Sequence, residues 1–389
     1  MQIELFHDTS TATFSYVVFD EQTGDALVID PVMDYDLPSS TVSRESVDRI
    51  EALLRRKNLK LHMILETHAH ADHMSGAQFL KDSHPDAILA IGEKITEVQK
   101  LFRPVFNLSN DFPVDGSQFD RLLSDGETVQ AGSIEFRVIA TPGHTPACSS
   151  YLIGDALFAG DTIFMPDLGT GRCDFPAGSA ERLYHSIRDG IYSLPDETRI
   201  FVGHDYPPEG RDVQGETTVG IQKQANKQLP AGRTLEQFVK FRTERDATLR
   251  TPKLLFSAVQ VNIAAGQIPH TSAAGEPFLK MPVHGLPKLR STPIRDRDPK
   301  LAVDLVDDGA LLLDVRSDQE FQEGHIPGAL HIPHDQVADR ILELPACTQT
   351  IVVYCRAGGR AEMAKAVLVE RGFCRVMNLG GIDDWPKSI

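Results

Sequence analysis

The chain has 389 residues, of which 41% are hydrophobic and 24% are charged; these values indicate a globular protein of about two or three domains and exclude a disordered or fibrous chain. The formal net charge of −16, from 39 Lys+Arg against 55 Asp+Glu, disfavours binding to the phosphates of nucleic acids. The apolar runs are only strand-sized and Met1–Leu5 lacks the pattern of a secretion signal, so we expect no membrane span and a cytoplasmic location.

The first part of the chain alternates between strand patterns and helix patterns. Apolar or alternating runs predict strands at 13–19, 26–30, 61–65, 88–91, 134–139, 149–153, 156–158 and 200–202. Helical spacing predicts a helix over 43–54 with Ser43 as its cap, and helices at about 180–192 and 234–249, where Thr234 and Gln237 fit a capping box. This alternation favours a layered α/β fold.

The composition changes between about His284 and Pro299, where prolines and basic residues replace apolar ones. The change predicts a linker at 284–297. Beyond it, strands are predicted at 310–315 and 351–354, and a helix at 360–371 that Gly372 ends. The predicted organisation is therefore a large domain at 1–283, the linker, and a small α/β domain at 298–389.

Four side chains of metal-binding type follow one predicted strand within six positions, namely His68, His70, Asp72 and His73. His68 and His70 are two residues apart, so in an extended chain both side chains project to one side. We expect Asp72 and His73 to begin a helix that points back to the same place. Imidazoles and a carboxylate that converge in this way indicate a metal site, because a core histidine more often occurs alone.

Three later segments each place a histidine or an aspartate directly after a predicted strand and beside a glycine that permits a tight turn: His144, Asp161 and His204. Together with the first motif, their order resembles the metallo-β-lactamase superfamily. The resemblance implies an αββα sandwich with metal between its two sheets. All seven ligand positions of that superfamily are filled, so a hydrolase with two zinc ions stays open.

The segments 171–175, 183–187 and 204–206 resemble those of persulfide dioxygenases, a narrower family within the superfamily. That resemblance implies one ferrous ion (Fe2+) per chain, held by His68, His144 and Asp161, with Zn2+ as the alternative metal. Two histidines and one carboxylate leave open positions for substrate and oxygen. The residues that would then surround the metal without binding it are His70, Asp72, His73 and His204. The implied glutathione contacts are Arg172, Tyr206 and Lys223.

The segment from Tyr354 to Arg360 lies between a predicted buried strand and a predicted helix. A cysteine on such a loop faces backbone N–H groups and a helix N-terminus, which stabilise the thiolate and lower its pKa. Arg356 and Arg360 add positive charge. With the segments 313–316 and 324–329, in which Asp314 and Arg316 are expected to be structural, the loop resembles that of rhodanese sulfurtransferases. The resemblance implies that Cys355 carries the transferred sulfur on a loop formed by Arg356, Ala357, Gly358, Gly359 and Arg360.

These resemblances together predict a persulfide dioxygenase fused to a rhodanese. Its substrates would be small molecules: glutathione persulfide, oxygen, and thiosulfate or sulfite, with the direction of sulfur transfer left open. One alternative is a dinuclear zinc hydrolase of glutathione thioesters, similar to glyoxalase II, and another is a binding module in which only Cys355 is active. No nucleic acid or membrane partner is expected, and a homo-oligomer stays open. Cys148, Cys347 and Cys374 are expected to be core residues, and Cys173 to be in the core or near the metal.

Overall fold

The computed structural model describes residues 1–272, 275–282, 295–344, 349–371, 373 and 375–386. Residues 284–294 of the predicted linker, and the predicted roles of Cys347, Gly372 and Cys374, lie outside the described residues. The chain divides into two compact units, Met1–Met281 and Pro282–Ile389, which we describe separately. Within the described residues, no helix has the length and apolar character needed to cross a membrane.

The first unit is built from short strands and helices in mixed order. Its strands are β1 (Gln2–Asp8), β2 (Thr13–Phe19), β3 (Asp25–Ile29), β4 (Val32–Asp36), β5 (Thr41–Ser43), β6 (Lys60–Glu66), β7 (Met74–Ser75), β8 (Ile88–Gly92), β9 (Arg121–Leu123), β10 (Thr128–Ala131), β11 (Ile134–Ala140), β12 (Ser149–Ile153), β13 (Ala156–Phe158), β14 (Arg199–Phe201) and β15 (Glu216–Thr218). Its helices are α1 (Glu45–Arg56), α2 (Ala77–Ser83), α3 (Ile95–Val105), α4 (Ala180–His185), α5 (Val219–Ala225), α6 (Leu235–Asp246) and α7 (Leu255–Asn262).

Two mixed sheets form the centre of this unit, in the orders β1-β2-β3-β6-β8-β9 and β10-β11-β12-β13-β14-β15. Successive residues of a strand face opposite sides of a sheet. Tyr16 and Val18 of β2 accordingly share a core cluster with Phe136 and Phe158 of the second sheet, whereas Val17 belongs to a cluster with helices on the other side. The two sheets therefore pack face to face.

Helices cover the outer faces of both sheets. The first sheet is covered by α1, α2, α3 and α7, with Val47, Leu80 and Val98 in one apolar cluster. Leu183 of α4 and Phe238 of α6 pack with residues of the second sheet. The order of layers is thus helix, sheet, sheet, helix, and the predicted αββα sandwich is confirmed.

The predicted start of the first helix is wrong by two residues. The helix begins at Glu45 after Arg44, and no side chain caps it from within its own segment. Instead the carboxylate of Asp34, on β4, accepts hydrogen bonds from the backbone N–H and the hydroxyl of Ser46, both at 2.8 Å. A carboxylate near a helix N-terminus is favourable because it compensates the helix dipole. This cap comes from a neighbouring strand and has no local sequence pattern.

The helix expected to begin at Asp72 and His73 is also wrong. Met74 and Ser75 pair with Val32 and Met33 instead, so the next helix, α2, starts only at Ala77. The helix predicted over 180–192 is α-helical up to His185 and continues as a π turn and a 3-10 turn. The capping box of the helix at 235–246 is confirmed, because Thr234 and Gln237 bond to each other's backbone N–H.

The second unit contains a four-stranded parallel sheet in the order β17-β16-β18-β19. Its elements are α8 (Pro299–Asp307), β16 (Leu311–Asp314), α9 (Asp318–Gln322), β17 (Leu330–His331), β18 (Ile351–Cys355), α10 (Gly359–Glu370) and β19 (Val376–Gly381). Val353 belongs to the apolar cluster on one face of the sheet and Val352 to the cluster on the other. A sheet with apolar clusters on both faces is typical of parallel α/β domains.

Candidate metal centre and sulfur-transfer loop

The direction of the strands brings the predicted metal ligands to one edge of the sandwich. β3 and β6 are parallel, so Asp30 and His68 follow the same end of the first sheet. In the second sheet, β11 and β13 are both antiparallel to β12, and β14 is parallel to β13. His144, Asp161 and His204 therefore follow strands that run in the same direction, and they meet at one edge.

His68, His144 and Asp161 form a group whose potential ligand atoms all lie within 4.8 Å of one another. The Nε2 atom of His68 is buried and makes no hydrogen bond among the described residues. The buried Oδ1 atom of Asp161 makes none either, although it lies 3.4 Å from His204 Nε2. Such atoms are costly to bury unless something else binds them. Burial and the neighbouring imidazoles lower the pKa of His68 well below its usual value, which favours the neutral form that binds metals. These residues therefore fit a metal ion.

The other ring nitrogen of each histidine in this group has a protein partner. Nδ1 of His144 lies 2.7 Å from the carbonyl oxygen of Arg172, which can only accept a hydrogen bond. Nδ1 of His68 lies 3.0 Å from the hydroxyl of Thr67, and that hydroxyl donates to Asp30 at 2.8 Å. Both imidazoles are thus held with the Nδ1–H tautomer, which leaves Nε2 free to bind a metal.

His70 lies at ion-pair distance from two buried carboxylates. Its Nε2 atom lies 3.1 Å from Asp30 Oδ1 and 3.3 Å from Glu66 Oε2, and all three side chains are buried. Burial alone would lower the pKa of His70, but the two carboxylates raise it well above its usual value. Sequence reasoning missed Asp30 and Glu66 as site residues, although both stand at the ends of adjacent predicted strands.

Asp72, His73 and His204 lie beside the first group. Asp72 Oδ2 is 3.1 Å from His204 Nε2 and 3.2 Å from His73 Nδ1. The hydroxyl of Thr13, which is buried, lies 3.2 Å from the same carboxylate. Ligand atoms of Asp72, Asp161 and His204 also lie within 4.8 Å of one another. The arrangement therefore accommodates one metal ion and has the ligand types for a second.

Two glycines let the backbone approach Asp161 closely. A Cβ atom on Gly203 would lie 2.6 Å from Asp161 Oδ1, and one on Gly171 would overlap the carbonyl oxygen of Asp161. The sequence predicted that the glycine beside each ligand allows a tight turn. Gly160 does adopt a positive φ, of 50°, whereas Gly203 is not among the residues with positive φ and is needed for space.

Of the three residues predicted to contact glutathione, one stacks on a histidine of the site and the other two are engaged in ion pairs. The ring of Tyr206 stacks on that of His204, with centroids 5.6 Å apart, and is 51% exposed. The guanidinium of Arg172 bonds to Asp174 with two contacts of 2.6 Å. The ammonium of Lys223, on α5, lies 2.6 Å from Asp196. Tyr206 is thus next to the metal-binding group, while Arg172 and Lys223 are engaged in ion pairs; their roles toward glutathione stay predictions.

A buried ion pair behind the site was not predicted. Arg242 and Asp246 lie 2.5 Å apart, one helical turn from each other on α6, and both side chains are buried. Arg242 also donates to the carbonyl oxygen of Thr170 at 3.2 Å, and Asp246 accepts from the backbone N–H of Cys173 at 2.8 Å. The spacing of Arg242 and Asp246 is visible in the sequence. Their contacts with segment 170–173 are not, because they join parts of the chain that are far apart in sequence.

In the second unit, Cys355 ends β18 and is buried. The backbone N–H of Gly358 donates to its sulfur at 3.1 Å. Burial alone would raise the pKa of the thiol, but backbone N–H groups of the loop, including those of Ala357 and Ala361, lower it below its usual value. Cys148, by contrast, is buried in the first unit, where burial raises the pKa of its thiol to about 12; burial also raises the pKa of Cys173. The loop therefore favours a reactive thiolate at Cys355.

The two arginines of the loop differ in their surroundings. Arg360 makes two contacts with the carboxylate of Glu320, at 2.5 and 2.7 Å, whereas Arg356 is exposed, as are Ala357 and Gly359. Arg316 pairs with the buried Asp314 at 2.7 Å, as expected for a structural pair.

Comparisons with known proteins agree with this architecture. Residues 9–204, about half of the chain, match the metallo-beta-lactamase superfamily, and residues 298–388 match the rhodanese-like domain. "Glyoxylase B2" of Dictyostelium discoideum is 46% identical, over 73% of this chain and 98% of that protein.

Two further relatives carry the name ETHE1. The human "Persulfide dioxygenase ETHE1, mitochondrial" is 29% identical, over 68% of this chain and 87% of that protein. The crystal structure of ETHE1 from Myxococcus xanthus superposes with a TM-score of 0.55 and 31% identity, over 69% of this chain and all of that one. The chain belongs to the metallo-β-lactamase superfamily, and it carries a C-terminal rhodanese-like domain.

Proposed function

We propose that the first unit is an iron-dependent persulfide dioxygenase that oxidises glutathione persulfide. The observation that carries this proposal is the group of His68, His144 and Asp161, whose potential ligand atoms lie within 4.8 Å of one another, while His70 lies at ion-pair distance from two buried carboxylates. Two histidines and one carboxylate are the ligand set of non-haem ferrous oxygenases. The likeness to proteins named persulfide dioxygenase supports the same activity.

The proposed reaction converts glutathione persulfide, one O2 and one water into glutathione and sulfurous acid, which loses protons to give sulfite. Fe2+ bound by the three residues would supply the binding and activation of oxygen. The chain supplies the fixed tautomers of His68 and His144, through Thr67 and the Arg172 carbonyl. Tyr206 would contact the glutathione portion, which its exposed position beside His204 supports, and Arg172 and Lys223 are further candidates.

For the second unit we propose rhodanese sulfurtransfer through Cys355, with both units acting in the cytoplasm. The Cys355 thiolate attacks the outer sulfur of thiosulfate, an S–S bond forms, and sulfite leaves with the electron pair of the broken bond. A glutathione thiolate then attacks the outer sulfur of the cysteine persulfide, which yields glutathione persulfide and restores the Cys355 thiolate. The lowering of the Cys355 pKa by the loop N–H groups supports its role as the attacking group, because the thiolate is the nucleophile.

The second candidate for the first unit is a dinuclear zinc hydrolase of glutathione thioesters. The adjacent group of Asp72, Asp161 and His204 favours it, and so does the name of the Dictyostelium relative. This candidate requires two metal ions per chain and no oxygen.

One experiment on the full-length protein distinguishes the dioxygenase from the zinc hydrolase. The protein is purified without oxygen, its metals are counted, and oxygen uptake is followed after addition of glutathione persulfide. We expect about one iron per chain, and uptake that is lost in His144→Ala but kept in His185→Ala, a change at a histidine on the surface of α4. Two zinc ions with thioester hydrolysis and no oxygen uptake would contradict the dioxygenase proposal.

The sulfurtransferase proposal is tested in the same preparation. Cys355→Ser should abolish transfer from thiosulfate to glutathione and leave oxygen uptake intact. Cys148→Ser is the control, because the Cys148 thiol is buried and has a raised pKa. Retained transfer in Cys355→Ser would exclude this cysteine as the sulfur carrier.

A further inference from the structure

The residues just before α8 are fixed to the edge of the small sheet. β19 is the last strand in the order of that sheet, and the backbone N–H of Arg297 donates to the carbonyl oxygen of Asn378, on β19, at 2.8 Å. The carboxylate of Asp296 accepts from the backbone N–H of Asn378 at 2.8 Å and lies 2.5 Å from the ammonium of Lys365. Arg297 therefore has a defined position, although the sequence assigned it to a linker.

Asn378 connects this attachment point to the loop that carries Cys355. Its side-chain amide donates to the carbonyl oxygen of Gly358 at 3.2 Å, and its side-chain oxygen accepts from the backbone N–H of Gly380 at 3.0 Å. Gly358 is the residue whose own N–H donates to the Cys355 sulfur. Arg297 and the sulfur are thus separated by one residue of β19 and one residue of the loop.

The side chain of Arg297 lies directly against the loop. One terminal nitrogen of its guanidinium is 3.2 Å from the place that a Cβ atom on Gly358 would occupy, and its Cγ atom is 3.9 Å from the corresponding place on Gly380. Both neighbours are glycines, so no side chain stands between the guanidinium and the loop backbone. The φ angle of Arg297 is 56°, a conformation that non-glycine residues adopt only where other contacts maintain it.

The charges around the loop differ from those that the sequence suggested. Arg360 is paired with the carboxylate of Glu320, and its guanidinium also interacts with the Cys355 sulfur. Arg297 is exposed and makes no ion pair among the described residues. Of the carboxylates next to it, Asp296 is bound to Lys365 and Asp384 accepts a hydrogen bond from the backbone N–H of Gly381. Arg297 thus contributes an unpaired, accessible positive charge beside the loop.

We propose that Arg297 binds the anionic end of the sulfur donor, which for thiosulfate is its sulfonate oxygens. A guanidinium can donate two parallel hydrogen bonds to such a group. Because Arg297 lies beside the loop, it would hold the donor with the outer sulfur of the donor toward Cys355. The assignment of a donor rests on the proposed sulfurtransferase function, whereas the assignment of an anion-binding residue rests on the geometry alone.

The first test uses a readout that requires no sulfur transfer. In the full-length protein, the Cys355 thiol is alkylated with iodoacetate, an anion, and with iodoacetamide, a neutral reagent of similar size, and its peptide is quantified by mass spectrometry. We expect Arg297→Gln to lower the ratio of the iodoacetate rate to the iodoacetamide rate about three- to tenfold. This is the effect of losing an attraction of about 1 kcal/mol between the guanidinium and the anionic reagent. Lys300→Gln removes the same charge from an exposed position on α8 and should leave the ratio unchanged.

The second test measures transfer from thiosulfate to glutathione. Arg297→Gln should raise the KM for thiosulfate about five- to tenfold and change kcat less, because the residue binds the donor and does not react. Arg297→Lys should keep the alkylation ratio but recover the KM only in part, since an ammonium lacks the planar pair of donors. Thermal unfolding of each variant establishes that it is folded.

The possible outcomes separate this inference from the proposed function. An unchanged alkylation ratio in a folded Arg297→Gln protein overturns the inference, whether or not transfer occurs. A lowered ratio supports it, and if the wild-type protein then transfers no sulfur from thiosulfate, the proposed function fails while the anion-binding role of Arg297 stands.

Discussion

The Nδ1 atom of His144 lies 2.7 Å from the carbonyl oxygen of Arg172, a contact that sets which nitrogen of this predicted ligand faces the metal site. The carbonyl belongs to segment 170–173, and the ion pair of Arg242 and Asp246 holds that segment from behind. The position of His144 therefore depends on a pair of side chains that do not contact the metal site themselves.

We predict that Asp246→Asn weakens metal binding because segment 170–173 loses its charged support. Partners of metal-binding histidines typically change metal affinity about 10- to 100-fold when they are mutated, and we expect an effect at the lower end of this range. The measurement is anaerobic titration of the metal-free protein with Fe2+ and with Zn2+. Asp155→Asn, which disrupts an exposed pair with Arg199, is the matched control.

A purely structural role of this ion pair would produce a different result. Removing one partner of a buried pair destabilises a protein by about 3–5 kcal/mol, so the Tm of Asp246→Asn should fall in any case. If the Tm of the metal-free and metal-loaded proteins falls equally, and the metal affinity is unchanged, then the pair supports the fold but does not position His144.

We predict that Gly203→Ala impairs metal binding through a direct steric effect. Its Cβ atom would lie 2.6 Å from Asp161 Oδ1 and 3.0 Å from the carbonyl carbon of Gly160, so the predicted ligand or its backbone must move. We expect the metal content after purification to fall by more than about half, since ligand positions tolerate only about 0.5 Å of displacement. Gly232→Ala, where a Cβ atom meets nothing within 4 Å, should keep its metal. Equal metal content in the two variants would contradict the steric argument.

The sequence was most informative where chemistry and strand pattern coincide. His68, His144 and Asp161 each follow a strand that could be predicted from its own residues, and parallel strands bring their ends together. The sequence did not indicate that His70 pairs with Asp30 and Glu66, because such pairing depends on which strands become neighbours. The helix expected at His73 failed for the same reason, since Met74 pairs with Met33, which lies far away in sequence.

The second unit shows the same division between local and tertiary information. The loop after Cys355 could be predicted, because a buried strand, two glycines and a helix follow one another in the chain. The pairing of Arg360 with Glu320 and the approach of Arg297 to Gly358 could not. Both contacts join segments that only the packing of the parallel sheet brings together.

We predict that Asp30→Asn strongly destabilises the first unit. Asp30 accepts hydrogen bonds from the backbone N–H and the hydroxyl of Thr67, at 2.7 and 2.8 Å, and lies 3.1 Å from His70. The variant leaves a buried imidazole with less compensating charge, which costs about 3–5 kcal/mol. We expect the free energy of unfolding in urea to fall by about this amount. Asp196→Asn, at the exposed partner of Lys223, should have a small effect, and a comparable loss in both variants would argue against a special role of the buried pair.

The last prediction concerns the pH dependence of Cys355. Because loop N–H groups lower the pKa of its thiol, the thiolate persists to lower pH than in a free cysteine, whose pKa is about 8.5. The alkylation rate with iodoacetamide should therefore fall as the pH decreases, with a midpoint below that value.

In Gly358→Ala the midpoint should move upward, since Gly358 has a φ of 92° and its N–H donates to the sulfur. Gly309→Ala provides the control, because its φ of 93° imposes the same backbone strain where a Cβ atom meets nothing within 4 Å. A midpoint at or above that of free cysteine in the wild-type protein would show that the N–H groups do not stabilise the thiolate, and the assignment of Cys355 as the attacking group would lose its physical basis.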